Sequence, residues 1–172
     1  GELLPRGVSN IIAAIGSIAH NDVFLDVGAG VGNIVCQFAL ETNASRCIGI
    51  EIQQQLVETS TVLVNTAACR SRSLRKVELV CGDFRHTDFQ RPTILYSCNM
   101  VFTTECKDSL VKTICSLPTL HTVALGVHPC PRHSRRCWSD FCVIWTLHKE
   151  VIVNVSWTGN PQSVYVFKRN SS

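Results

Sequence analysis

The sequence predicts an α/β fold in which a mostly parallel sheet ends in antiparallel C-terminal strands. Three observations carry this. A short apolar run, Val23-Phe24-Leu25, closes on Asp26 and is followed by alternating glycines at Gly28, Gly30 and Gly32. Ile34, Val35, Phe38 and Ala39 then recur at helical spacing, so the stretch reads as strand, tight turn and helix. Apolar strand-like runs and helical periodicities go on alternating to about residue 127, after which strand-like runs dominate.

Taken in order, Val8, Ile11, Ile12, Ile15 and Ile18 mark an amphipathic helix over 8–20. The first strand and the glycine turn follow, then a helix to about residue 42, a second strand at 47–51 and a third helix over 54–69. Residues 70–76 are basic and serine-bearing and read as a loop. A third strand at 77–81 is closed by Gly82-Asp83-Phe84. A fourth strand at 94–98, a helix at 109–115 and a fifth strand at 121–127 lead to a loop rich in Pro, His and Arg at 128–136. Terminal strands are expected at 141–147, 151–156 and 164–167, with Thr158-Gly159-Asn160-Pro161 as a turn.

A chain of 172 residues is long enough for one domain, 1–172, with a substantial core. Hydrophobic residues at 45% and charged residues at 17% exclude a largely disordered chain. No apolar run approaches the ~20 residues that cross a bilayer, and no basic-then-apolar leader opens the chain. A membrane role is therefore not expected. The opening Gly1-Glu2-Leu3-Leu4-Pro5 has no polar tail before it and reads as cut from something longer. A net charge of +3 is too mild to announce a polyanionic partner by itself. Of ten cysteines, Cys36, Cys47, Cys81, Cys98 and Cys142 fall in or beside apolar segments, where a thiol serves as a small hydrophobe. A reducing compartment is expected rather than a disulfide scaffold.

The turn has a chemistry of its own. A dinucleotide fingerprint would read G-x-G-x-x-G and hold a pyrophosphate on the helix N-terminus. Here the spacing is D-x-G-x-G-x-G, and an acid in front of the turn repels phosphate while accepting an ammonium or hydroxyl donors. S-adenosylmethionine carries an α-amino group and a sulfonium and no phosphate. Cys47-Ile48-Gly49-Ile50-Glu51 places a second acid about 20 residues downstream, where such a fold can hold ribose hydroxyls. The pattern reads as a methyl-donor site.

At this point four pieces, in order, resemble the catalytic core of the disruptor of telomeric silencing family, histone-lysine methyltransferases without a SET domain. Gly1-Glu2 is similar to the end of a Tyr-Gly-Glu cofactor loop, and the stretch from Phe24 to Gly32 to the family's glycine motif. Gly82-Asp83-Phe84 resembles the adenine-binding motif, and Val155-Ser156-Trp157-Thr158-Gly159-Asn160-Pro161 the terminal Ser-Trp-Thr-Gly-x-Pro signature. The family's helical N-terminal part has no counterpart. The resemblance implies a class I (Rossmann-like) seven-strand S-adenosylmethionine-dependent methyltransferase fold. It also implies methyl transfer to a lysine of a nucleosomal core histone, in the nucleus, by a chain expected to be a monomer. Asp26 would hold the methionine ammonium with backbone groups of Gly28, Ala29, Gly30 and Gly32, and Asn33 would make a polar contact. Glu51 would take the ribose hydroxyls, Asp83 the adenine amino group and Phe84 the adenine face, with Glu2, Leu3 and Phe24 completing the cofactor set.

The family builds its lysine channel from a Thr, an Asn-Asn pair and a Tyr-Tyr pair. This sequence has Leu3, Cys98-Asn99 and Val164-Tyr165 there. The catalytic candidates are accordingly Asn99, Cys98, Trp157 and Tyr165. Two alternatives stand beside this reading: a divergent methyltransferase for another protein or nucleic acid, and a catalytically weakened chromatin-binding module. An Asn/Asp-Pro-Pro-aromatic turn, the mark of amino-methylation of bases, is absent after the fourth strand, and Glu105 is alone where arginine methylation would use two glutamates. Arg70, Arg72, Arg75 and Lys76 form one basic cluster and Arg132, Arg135 and Arg136 another, candidate nucleosome contacts and non-specific DNA contacts. His128, Cys130, His133 and Cys137 are zinc-ligand types, but their spacing follows no established finger and no metal site is assigned.

Overall fold

The computed structural model of the chain describes residues 2–130, 137–156 and 158–170. Its centre is β1 (Val23–Val27), which pairs in parallel with β2 (Arg46–Glu51) on one side and β4 (Ile94–Ser97) on the other. β3 (Val77–Cys81) extends the sheet beyond β2, and β5 (Thr122–Leu125) extends it beyond β4, both in parallel. β7 (Gln162–Arg169) then runs antiparallel to β5 and to the edge strand β6 (Trp145–Val153), giving the order β3-β2-β1-β4-β5-β7-β6. This is the mostly parallel sheet with antiparallel C-terminal strands that the sequence predicts.

Side chains alternate between the two faces of each strand, so β1 feeds two cores. Phe24 joins α1 (Pro5–Ile15) and α2 (Asn33–Glu41), which contribute Val8, Ile11, Ile15, Val35 and Phe38; Phe24 and Phe38 stack at 3.7 Å between centroids. Leu25 and Val27 face the other core with Leu110 and Ile114 of α4 (Thr104–Ser116) and Phe141 of α5 (Asp140–Ile144). α3 (Gln54–Ala68) packs on β3 and on the short helical turn before it. At the N-terminal end of β1 the Asp22 carboxylate accepts from the Ala19 N–H (2.7 Å) and the Thr93 hydroxyl (2.8 Å) and meets His121 (2.9 Å). Those bonds lock one end of the sheet and leave the other for function. Among the described residues no helix is long and apolar enough to cross a membrane.

Several boundaries move from their expected places for local reasons. α1 starts at Pro5, whose fixed φ suits a first helical turn, and stops at Gly16 (φ 89°) rather than running to His20. α4 begins at Thr104 because the Thr103 hydroxyl accepts from the Cys106 N–H (3.2 Å), five residues before the apolar periodicity becomes visible. β4 ends at Ser97, whose hydroxyl donates to the Val27 carbonyl (2.8 Å), so Cys98 and Asn99 lie in the turn beyond it. The expected strand at 141–147 opens instead as α5, capped by Ser139 accepting from the Cys142 N–H (3.3 Å). The rest of it joins 151–153 in one long edge strand with a bulge between Leu147 and Lys149. Charged residues there mark an edge, not a break.

Gly49 lies where β2 passes beneath the glycine turn. A Cβ on it would stand 2.8 Å from the Ala29 Cβ and 2.9 Å from Leu79 Cδ2 and Val35 Cγ2. Gly49→Ala is expected to cost about 1–3 kcal/mol through overpacking, read as a lower midpoint in urea unfolding with an unchanged slope.

Candidate active site

The sheet's chain order reverses between β1 and β4, and in open α/β sheets ligands bind at such a switch point, beyond the C-terminal strand ends. A cleft of about 600 Å³ opens there, walled by Gly28, Glu51, Ile52, Gln53, Asp83, Phe84, Cys98 and residues 100–102.

Its floor is the glycine turn. The Gly28 and Ala29 N–H groups donate to the Ile50 carbonyl (2.9 and 3.0 Å), holding the turn against the end of β2. Gly28 and Gly30 both adopt positive φ (82° and 56°). At Gly28 a Cβ would sit 3.2 Å from the Phe102 ring, whereas at Gly30 it would point into open space. Gly30 therefore leaves backbone exposed to a ligand, in a conformation that side-chain-bearing residues rarely take.

Two acids meet at this turn in different environments. Glu51 accepts from the Gly30 N–H (2.9 Å) and the Gln53 N–H (3.0 Å), which orient its carboxylate on the cleft wall. Asp26 is 1% exposed, and neither of its oxygens has a hydrogen-bond partner. Burial, and next the charge of Glu51, push its carboxyl up to about 8. The Tyr96 hydroxyl, register partner of Asp26 on β4, is likewise buried and without a partner of good geometry, and it lies beside Cys98. Burial raises both the Tyr96 phenol and the Cys98 thiol. A buried acid with no hydrogen-bond partner is costly to keep; a cation or a set of donors would satisfy it.

On the opposite wall Asp83 is gripped by Arg85 through its backbone and guanidinium N–H groups, and that contact pulls its carboxyl down to about 2. Phe84 is 7% exposed and lies parallel to Phe102 at 6.2 Å, giving the cleft flat apolar walls.

Of the expected cofactor residues, Gly28, Glu51, Asp83 and Phe84 line the cleft; Ala29, Gly30 and Gly32 form the turn, and Asp26 lies behind it. Asn33 and Glu2 are joined to one another by a hydrogen bond at the start of α2. Leu3 and Phe24 do not reach the cleft: Leu3 is buried in a bridge to Val155, and Phe24 is spent on Phe38. Among the catalytic candidates Cys98 lines the cleft. Asn99 is buried, and its side-chain oxygen accepts from the Val127 N–H (2.9 Å). Tyr165 lies on β7 against His128, 5.4 Å between rings, and Val164 is buried on the other face. Trp157 lies outside the described residues. The sequence reading missed Ile52, Gln53, Met100, Val101 and Phe102; their only signal was position, each following a strand end.

The family model described as histone methylation protein DOT1 matches residues 1–168. A histone-lysine N-methyltransferase, H3 lysine-79 specific, of Emericella nidulans is 29% identical over all of the chain and 37% of its own length. One of the same description from Gibberella zeae is 32% identical over 68% of the chain and 25% of its own length. The chain thus spans well under half of either relative. In fold, it resembles an RNA methyltransferase from Salinibacter ruber solved with S-adenosyl-L-homocysteine: TM-score 0.64, 19% identity, 98% of this chain and 92% of that one.

The state of Asp26 makes a prediction. An unfolded aspartate ionises near 3.8, and in the fold it does so near 8. Between those values the folded state binds more protons, so stability falls as pH rises, by up to about 1.4 kcal/mol per pH unit. Denaturation of wild type and Asp26→Asn from pH 4 to 9 should show this slope in the wild type and its loss in the variant.

Proposed function

Given that the chain belongs to the histone methylation protein DOT1 family, we propose that it transfers a methyl group from S-adenosylmethionine to a lysine of a nucleosomal core histone. The H3 lysine-79 specificity of its relatives is the acceptor we favour, and the nucleus the setting. The observation that carries the cofactor part is Asp26, a buried acid with two orphaned oxygens beneath an open glycine turn. An α-ammonium satisfies it, Glu51 suits a ribose diol, and Phe84 with Phe102 suits a purine face.

When bound, S-adenosylmethionine supplies an electrophilic methyl group on sulfonium. The chain's own residues supply the rest. Asp26 gives up its proton to solvent as the ammonium arrives, turning a desolvated acid into half of an ion pair. Asp83, held by Arg85, would accept from the adenine amino group through its remaining lone pairs. The acceptor lysine must react as the neutral amine, against an ordinary pKa of ~10.4. A wall of Cys98 and Met100 offers no charge to hold an ammonium and so favours the neutral form. A second reading, a chromatin-binding module without transfer, rests on the apolar Leu3, Cys98 and Val164 where the family carries polar channel residues.

Calorimetry with S-adenosylmethionine near pH 7, in buffers of different ionisation enthalpy, tests the cofactor part. Wild type should bind with release of up to about one proton, and Asp26→Asn and Glu51→Gln should each lose binding. Methyl incorporation into nucleosomes, absent from free DNA, separates enzyme from binding module.

Arg72 and Arg75 are exposed, while neighbouring Arg46 is paired with Glu78 and Lys76 donates to the Thr42 carbonyl (2.8 Å). We assign Arg72 and Arg75 to nucleosomal phosphate; Arg132, Arg135 and Arg136 lie outside the described residues. Charge reversal at both should weaken nucleosome binding and lower the slope of log affinity against log salt by roughly 0.9 per lost contact. An unchanged slope removes this face from the interface.

A further inference from the structure

Three thiols that do not line the cleft come together after β5. Cys130 follows β5, Cys137 precedes the cap of α5, and Cys142 lies within α5. Their sulfurs all lie within 4.8 Å of one another, with Cys130 and Cys137 only 3.4 Å apart. All three are half-buried, and none is in a disulfide. The set differs from the one the sequence suggests. His128 instead accepts the Cys130 N–H through Nδ1 (3.1 Å) and packs its ring on Tyr165 and Phe167. His133 lies outside the described residues. Cys142 takes part because α5 replaces the expected strand and turns this residue back toward the loop.

We propose that Cys130, Cys137 and Cys142 form a zinc-binding site, three thiolates on one Zn²⁺ with the fourth position left to solvent. Zn–S bonds of about 2.3 Å in a tetrahedron place sulfurs about 3.8 Å apart, close to the 3.4 Å between Cys130 and Cys137 and inside the 4.8 Å that contains all three. Small side-chain rotations therefore complete the set with no movement of the sheet. A disulfide accounts less well for this grouping, since it would use two sulfurs and leave the third without a purpose. Binding forms three Zn–S bonds and releases the thiol protons to solvent, with no change of oxidation state. The ion would tie the exit of β5 to α5. His128 sits two residues before Cys130, so the wall it makes over Tyr165 would be held as well. The proposal is independent of the methyl-transfer reading.

The test uses the intact, reduced, metal-free chain titrated with Zn²⁺ against a chromophoric chelator. Uptake of one equivalent is expected, lost in Cys142→Ser and kept in Cys69→Ser, which changes an exposed thiol elsewhere. Alkylation mapped by mass spectrometry reads the wild type directly and needs no variant to fold. Zn²⁺ should slow modification of Cys130, Cys137 and Cys142 together and leave Cys69 unaffected. Uptake below one equivalent, protection of a different set of thiols, or a Cys142→Ser variant that binds as wild type does would overturn the proposal.

Discussion

Everything in this molecule follows from the position of β1 between two parallel neighbours. A right-handed crossover to β2 places its helix on one face of the sheet, and the crossover from β4 to β5 places its helix on the other. The two connections leave the C-terminal edge in opposite directions, and between them the described residues leave a cleft. The cleft is a consequence of that divergence, before any side chain is considered. Closing the opposite end with the Asp22, Thr93 and His121 network holds the strands in register, so the gap keeps its shape.

Within that frame the site is built by contrast between two acids near the ends of neighbouring strands. Glu51 is given two main-chain donors, which fix its carboxylate at the cleft wall. Asp26 is given none and is raised by burial and by Glu51 itself. An acid left unsatisfied in the core is a cost the fold carries on its own account, and such costs concentrate where a ligand removes them. The same contrast explains why the turn bears glycines: it must reach back to Glu51 through the Gly30 N–H and still leave main chain open.

The end of β4 is assembled differently. Cys98 and Asn99 stand together at the end of β4, yet they do unlike things. Cys98 lines the cleft, while the Asn99 amide is committed to the Val127 N–H and so helps pin the exit of β5. From that exit the chain passes His128, against the ring of Tyr165, and reaches the three thiols. The Asn99 contact at the exit of β5, the ring contact of His128 and the first of the three thiols thus follow one another within four residues, 127–130.

The sequence by itself determined the five parallel strands, the glycine turn and the acids at the strand ends, because each depends on local backbone preference or on chemistry within a few residues. Asp26, Glu51 and Asp83 were legible for that reason, as was the parallel sheet with its antiparallel tail. What it left open depended on contacts between distant segments. Phe24 read as part of the cofactor motif, but the strand's alternation turns it to Phe38. Leu3 read as a cofactor contact and instead bridges Val155, more than a hundred residues away. Ser139 overrode the β-prone run after it through a single capping bond, and only that helix brings Cys142 to Cys130 and Cys137. Tertiary structure decided these points because side-chain direction, and which oxygen goes unpaired, are properties of packing and not of any one stretch of chain.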